Sequence, residues 1–232
     1  MKKVFLTLVA ATIIFSCKKK DEVVPEDPKS KAIAGYFNMD GSASDSTGKL
    51  GIVTNDVTFS AKTAIFNGTS SFMRIPAEGT FAVPDQLSFS LFFKAVYNDA
   101  TKQPRLLQMN DEKGNAVEIY IQNSRLHFSN WNQSLDKEVS KIMTPTSPDL
   151  KKWHKVVATI DFERNEMSLY LNDQLVKTVT NVTLTRPENA TLILGYHQHP
   201  GDQPKDFYQG EMDNFKIHPG IIEQSVLSTI VR

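Results

Sequence analysis

Leu87-Ser88-Phe89-Ser90-Leu91-Phe92-Phe93-Lys94 is the stretch that decides the fold. In an extended strand successive side chains point to opposite sides, so Leu87, Phe89, Leu91 and Phe93 share one apolar face. Runs of similar length follow at 116–121 and 125–129, around Gln122-Asn123-Ser124, and at 153–160 and 166–171, around residues 161–165. Both pairs read as hairpins. Leu171-Asn172-Asp173-Gln174-Leu175 reads as a two-residue turn, because Asn and Asp tolerate positive φ. Residues 191–195 and 211–217 complete the set. About a dozen short strands at this spacing predict an all-β sandwich or barrel. No window past the N-terminal segment sustains helical periodicity over three turns, and residues 221–230 are expected to form one short terminal helix.

The N-terminal segment is read separately. Lys2 and Lys3 precede an apolar run over residues 4–15, and Ser16 then precedes Cys17. The run is shorter than the ~20 residues a membrane-spanning helix needs, so residues 1–16 read as a cleaved signal. Ile14-Phe15-Ser16-Cys17 resembles a bacterial lipobox, with Phe15 a less usual residue there. The resemblance implies cleavage before Cys17 and acylation of its thiol. Residues 17–31, with Lys18-Lys19-Lys20-Asp21-Glu22, Pro25 and Pro28, have almost nothing to bury and read as a solvated tether. Lys20-Asp21-Glu22 resembles the surface-export signal of lipoproteins from Bacteroidetes-type bacteria. The expectation is an outer-membrane lipoprotein, membrane-bound through its anchor and facing the exterior, with a single domain over residues 32–232.

Composition narrows the remainder. The chain of 232 residues carries 26 basic and 26 acidic side chains. Without Lys2 and Lys3 the balance is −2, which argues against a nucleic-acid partner. Cys17 is the only cysteine, so no intrachain disulfide and no thiolate metal cluster can form, and the core must hold the fold.

Four stretches resemble, in order, the laminin-G-like jelly roll of the concanavalin A-like lectin/glucanase superfamily. They are Phe37-Asn38-Met39-Asp40-Gly41-Ser42-Ala43-Ser44-Asp45-Ser46-Thr47-Gly48, Ala64-Ile65-Phe66-Asn67-Gly68-Thr69-Ser70-Ser71-Phe72-Met73-Arg74-Ile75-Pro76, Trp153-His154-Lys155-Val156-Val157-Ala158-Thr159-Ile160-Asp161 with Leu169-Tyr170-Leu171-Asn172, and Gly210-Glu211-Met212-Asp213-Asn214-Phe215-Lys216-Ile217. Lys155, Asp173 and His218-Pro219-Gly220 depart from the family's usual residues. The resemblance implies two antiparallel sheets packed face to face, one of them curved. It leaves function open, because function lives in sites grafted on folds.

Candidate sites come next. Glycosidases of this superfamily place two glutamates on one strand, where alternate residues share a face. Glu211-Met212-Asp213 begins such a pattern, but Lys216 stands where the second glutamate belongs, so a non-catalytic protein is expected. No Gly-rich phosphate loop, Gly-x-Ser-x-Gly elbow or His-Glu-x-x-His motif occurs. The resemblance implies one structural Ca2+ between Asp40 and Asp213, since carboxylates supply the hard oxygens Ca2+ takes. Asp45 either joins them or caps its own turn. Trp153 reads as core. His197 and His199 read as part of a solvated loop, a His-x-His pair being too few ligands for a metal.

Trp131 lies among the amides Asn130 and Asn132 in Ser129-Asn130-Trp131-Asn132-Gln133. Such an aromatic is either a platform for the C–H face of a sugar ring or an anchor for its own loop. Tyr196, Asp202 and Tyr208 flank the other long loop and would complete a sugar site. The expected function is a non-catalytic, carbohydrate-binding surface lipoprotein. The alternatives are an adhesion or protein-interaction module without sugar recognition, and an atypical glycosidase.

Overall fold

The alternation at residues 87–93 is realised in a ten-residue strand at the centre of a sheet, with Leu87, Phe89, Leu91 and Phe93 fully buried. The computed structural model describes residues 34–60, 62–97 and 99–232. Cys17, the signal segment 1–16 and the tether 17–31 lie outside the described residues. In chain order the strands are β1 (Gly35–Phe37), β2 (Val53–Asn55), β3 (Thr58–Phe59), β4 (Ala64–Asn67), β5 (Phe72–Ile75), β6 (Phe81–Ala82), β7 (Gln86–Ala95) and β8 (Arg105–Asp111). They continue with β9 (Ala116–Gln122), β10 (Arg125–Asn132), β11 (Lys137–Met143), β12 (His154–Asp161), β13 (Glu166–Leu171), β14 (Gln174–Val179), β15 (Asn189–Leu194) and β16 (Gln209–Pro219).

These strands form two antiparallel sheets. The first runs β14-β13-β12-β7-β16-β4-β3, with β1 also on β16. The second runs β11-β10-β9-β8-β15-β5-β2, with β6 also on β15. Their inner faces enclose one core, in which Phe37 stacks on Phe215 at 5.8 Å and Phe66 meets Tyr208 edge-on at 5.7 Å. Each such side chain contributes about 1.5–3 kcal/mol by leaving water. This is the two-sheet jelly-roll sandwich expected from the sequence.

Local chemistry fixes the turns. Asn123 and Ser124 both adopt positive φ, as do Asn172 and Asp173, so two-residue turns close both hairpins. Asp173 thus does the work of the usual turn glycine. Asn67 Oδ1 accepts from the N–H groups of Thr69, Ser70 and Ser71, which explains the Asn-Gly-Thr-Ser-Ser spelling between β4 and β5.

The outer face of the first sheet carries the C-terminal segment. A short 3₁₀ helix, Gln224–Thr229, stands where the terminal helix is expected. Leu227, Ile222 and Ile230 pack there on Val157, Phe92 and Tyr170. Lys155, the residue that departs from the family's histidine, buries its ammonium beneath this segment. It donates to the carbonyls of Leu227 and Ile230, both at 2.8 Å, and pairs with Asp173 at 2.7 Å.

Candidate functional site

The outward face of the second sheet is polar, and the alternation of its strands makes it so. In β9, Val117, Ile119 and Ile121 point into the core, which turns Glu118 and Tyr120 outward. In β10, Leu126 and Phe128 point inward and His127, Ser129 and Trp131 outward. Register then assembles rows across the sheet. Ser129, Glu118, Gln108, Ile193 and Arg74 are successive cross-strand partners, and so are Trp131, Ala116, Asn110 and Thr191.

The first row holds a buried polar cluster. Arg105 grips Glu118 with two N–H donors, each at 3.3 Å, and Gln108 Nε2 donates to Glu118 at 3.1 Å. Onto this cluster folds the segment between β15 and β16. It departs at Gly195, whose φ of +102° and 2.7 Å approach of a would-be Cβ to Phe66 admit no side chain. Gln198 N–H donates to Gln108 Oε1 at 2.9 Å, and His197 Nε2 lies 3.6 Å from Glu118 Oε1. Asp206, on the other side of His197, is held below the usual carboxylate range, first by that imidazole.

Docking this segment brings His199 to Trp131, with ring centroids 6.0 Å apart. Together with Asp202 and Pro200 from the loop, and Lys113, Asp136 and Gln133 from the neighbouring turns, they line a depression of about 330 Å³. Burial, then the neighbouring His197, pushes His199 below the ordinary imidazole range, so its ring is neutral at neutral pH. Its Nδ1 has no hydrogen-bond partner among the described residues. A half-exposed indole, a neutral imidazole and flanking carboxylates offer a flat apolar wall and hydroxyl-directed acceptors in one place.

The expected sugar-site residues are partly brought together. Trp131 and Asp202 share the depression. Trp131 stands on β10 itself rather than in a loop, beside an irregularity of pairing between Asn130 and Trp131, and its Nε1 donates to Gln133 at 3.1 Å. Tyr196 lines a neighbouring depression and donates to Gln198. Three residues are placed elsewhere. Asn130 is fully buried and exchanges hydrogen bonds with the Thr185 backbone on the inner side of the sheet. Asn132 holds Thr185 Oγ1 and the Leu135 N–H, which fixes the turn. Tyr208 is 0% exposed, and its hydroxyl donates to the carbonyls of Lys94 and Glu211 within the core. Apolar or turn-making surroundings, not a ligand, engage these three.

The metal candidates also separate. Asp45 caps its own turn: its carboxylate accepts from the N–H groups of Tyr36, Thr47, Lys49 and Leu50. Burial raises its pKa, but these hydrogen bonds, that from the Thr47 hydroxyl foremost, win and hold it below the usual value. Asp40 and Asp213 do line one depression of about 320 Å³, with Lys62, Asn214 and Arg232. Asp213 is 4% exposed, and its Oδ1 has no partner among the described residues. Its Oδ2 accepts from Arg232 Nε at 2.9 Å. Burial lifts its pKa, with Arg232 opposing. The pair fits the hard-oxygen chemistry of Ca2+ at two of the six to eight positions that ion takes. Among the described residues no three His, Cys, Asp or Glu side chains gather as a metal-ligand group.

Two further expectations shift. The histidine loop is not solvated throughout, since His197 is buried against Glu118. Trp153 is half-buried rather than core, because the Arg232 guanidinium stacks on it at 3.7 Å and Lys94 approaches at 5.5 Å. In the Glu211-Met212-Asp213 stretch both carboxylates are held by cations, Glu211 by Lys94 and Asp213 by Arg232. Sequence reasoning missed Lys113, Asp136 and the Arg105–Glu118–Gln108 cluster. The polar residues interrupting the apolar periodicity of β8 and β9 were the signal for that cluster.

Fold and outward face together define a concanavalin A-like jelly-roll sandwich. A family model for Laminin_G_3, of the concanavalin A-like lectin/glucanases superfamily, matches residues 67–226, and the chain belongs to that family. No curated protein matches it in sequence. Among solved structures, it resembles one of botulinum neurotoxin type C, whose cell entry depends upon interaction with two ganglioside molecules, at TM-score 0.67 and 16% identity, covering 87% of this chain and 51% of that one. It resembles domain 4 of a Geobacillus stearothermophilus extracellular arabinanase, solved with arabinotriose, at TM-score 0.60 and 20% identity, covering 82% and 94%. A heptameric pentraxin of Limulus polyphemus follows at TM-score 0.57 and 17% identity, covering 71% and 79%. The chain spans about half the length of the toxin chains it matches. At these identities the likeness is one of fold.

Proposed function

We propose that this protein is a non-catalytic carbohydrate-binding jelly roll that holds its glycan on the outward face of the second sheet. The observation that carries the reading is the depression lined by Trp131 and the neutral His199, in which the indole would meet a sugar ring. Support comes from the fold's neighbours, since a toxin that depends on gangliosides, an arabinanase domain solved with arabinotriose and a Ruminococcus gnavus module bound to α2,3 sialyllactose share it. The reading as a binder rather than a hydrolase rests on the engagement of Glu211 and Asp213 by Lys94 and Arg232, and of Glu118 by Arg105. Neither β16, which holds Glu211 and Asp213, nor β9, which holds Glu118, offers two free carboxyl groups on one face, the arrangement that the superfamily's glycosidases use to flank a glycosidic bond.

A structural Ca2+, in this proposal, is held by Asp40 and the free oxygen of Asp213. The lipid anchor at Cys17 presents the domain on the outer face of the outer membrane. The test is a glycan array probed with the purified protein, followed by titration of the best binders into wild type and Trp131→Ala. Binding at micromolar to millimolar Kd, roughly −8 to −4 kcal/mol, that depends on Trp131 supports the reading. Release of reducing sugar from a bound glycan would overturn its non-catalytic part.

A further inference from the structure

Two more depressions adjoin the one walled by Trp131. His199 and Pro200 line both the first and a second of about 250 Å³, which extends past Asn110 and Tyr196 toward Arg74. Lys113 lines both the first and a third of about 170 Å³. Asp111, Glu112 and Asn189 line the second and third together. The three are therefore one continuous surface, branching around Lys113 and the His199-Pro200 ridge. Only the first reaches the ~300 Å³ at which small-molecule sites begin, and joined they exceed it. Such a surface suits a chain of several sugar rings better than one ring.

The charges along it select among such chains. Carboxylates of Glu112, Asp136, Glu188 and Asp202 stand at the rim, exposed to solvent. Glu112 and Asp136 make no side-chain hydrogen bond or ion pair among the described residues. Lys205 Nζ pairs with Asp202 at 3.7 Å, so with the Lys113–Glu188 pair only Glu112 and Asp136 of the four are left unpaired among the described residues, and the other cations are engaged as well. Lys113 Nζ pairs with Glu188 at 2.9 Å, and the Arg74 guanidinium donates to the carbonyls of Ala77 and Gly79 at 2.8 and 3.4 Å. Beneath the surface, Asn110 Oδ1 and His199 Nδ1 are buried atoms with no partner among the described residues. A ligand in contact with these lining carboxylates lies within a Debye length of them, ~8 Å at physiological salt, so their charge is felt.

We propose, resting on the glycan-binding reading, that this surface takes an oligosaccharide of at least two or three neutral or amine-bearing rings and rejects carboxylate-bearing ones. The site is built by Trp131 and the joined depressions, and the carboxylates choose among glycans by like-charge repulsion. Acidic sugars, including sialylated ones, are therefore poor ligands of this member of the fold.

The experiment probes the full chain with an array carrying cello-, malto- and arabino-oligosaccharides, chitosan oligomers, oligogalacturonates and sialyllactose. The proposal expects the best binders among the uncharged or amine-bearing glycans, with affinity rising at least tenfold from one ring to three. Carboxylate-bearing glycans should bind at least tenfold more weakly, a gap that narrows in 0.5 M salt and in Glu112→Gln/Asp136→Asn. Trp131-dependent binding that prefers oligogalacturonate or sialyllactose would overturn the charge selection and leave the glycan reading standing. Equal affinity for one ring and three would overturn the multi-ring site alone. No Trp131-dependent binding of any sugar would overturn the glycan reading itself, and this inference with it.

Discussion

At the scale of single residues, the same residue type does opposite work according to its neighbours. Asp45 and Asp213 are both carboxylates of the motifs that mark the family's opening and closing segments. Asp45 is surrounded by N–H donors of its own turn, while one oxygen of Asp213 is buried without a partner. That difference was not legible in the sequence, because the donors around Asp45 come from a turn geometry and Arg232 reaches Asp213 only through the folded C-terminal segment. If Ca2+ binds between Asp40 and Asp213, millimolar Ca2+ should raise the Tm. At 100-fold saturation a native-state ligand adds about 2.7 kcal/mol. Asp213→Asn should remove most of the gain. Arg232→Ala, which withdraws a competing cation, should enlarge it. A Tm indifferent to Ca2+ and to chelator would contradict the metal proposal without touching the fold.

At the scale of elements, the hydrophobic alternation of β7, β9, β10 and β12 was legible from period alone, since one residue's slip would turn every apolar side chain to water. Their outward faces were less legible, because polar residues in a strand carry no mark of which loop will cover them. Glu118 and Gln108 become buried only when residues 196–207 dock on them. The amides beside Trp131 misled for a related reason. Asn130 faces inward to bind the Thr185 backbone, a partner 55 residues away. Lys155 shows how a departure from family pattern acquires meaning. Its ammonium satisfies two carbonyls of the C-terminal segment. Lys155→Ala strands both, at about 1–3 kcal/mol each for a buried polar group left unpaired. We expect a loss of about 2–5 kcal/mol in denaturant unfolding, with hydrogen exchange accelerated first across residues 222–231. Unchanged protection there would show that Phe92, Val157 and Tyr170 suffice to hold the segment.

At the scale of the whole molecule, the five histidines are all buried or half-buried. His127, His199 and His218 all lie below the ordinary imidazole range of about 6.5, burial being the first cause in each. The folded chain thus binds these protons less readily than the unfolded one. Their contribution is complete above about pH 6.5 and is lost as pH falls through the window down to the lowered values. The Tm should therefore drop between about pH 7.5 and pH 5.5, and replacing the three by Gln should flatten that slope. A Tm constant over the interval would contradict the burial argument. The targeting proposal makes its own prediction: Cys17→Ala should leave a protein that no longer fractionates with the outer membrane, and persistence there would contradict the lipid anchor. The fold itself was legible in four short motifs and one alternating strand, whereas the ligand face depends on long-range docking that no local pattern encodes. The account's central claim is that Trp131 is a sugar platform on an otherwise complete sandwich. The most direct test measures glycan affinity and unfolding free energy together for Trp131→Ala. A platform predicts at least tenfold weaker binding with a stability change under about 1 kcal/mol, as for a surface substitution. Unchanged glycan binding with a loss of about 3–5 kcal/mol, the cost of truncating a packed aromatic, would contradict it.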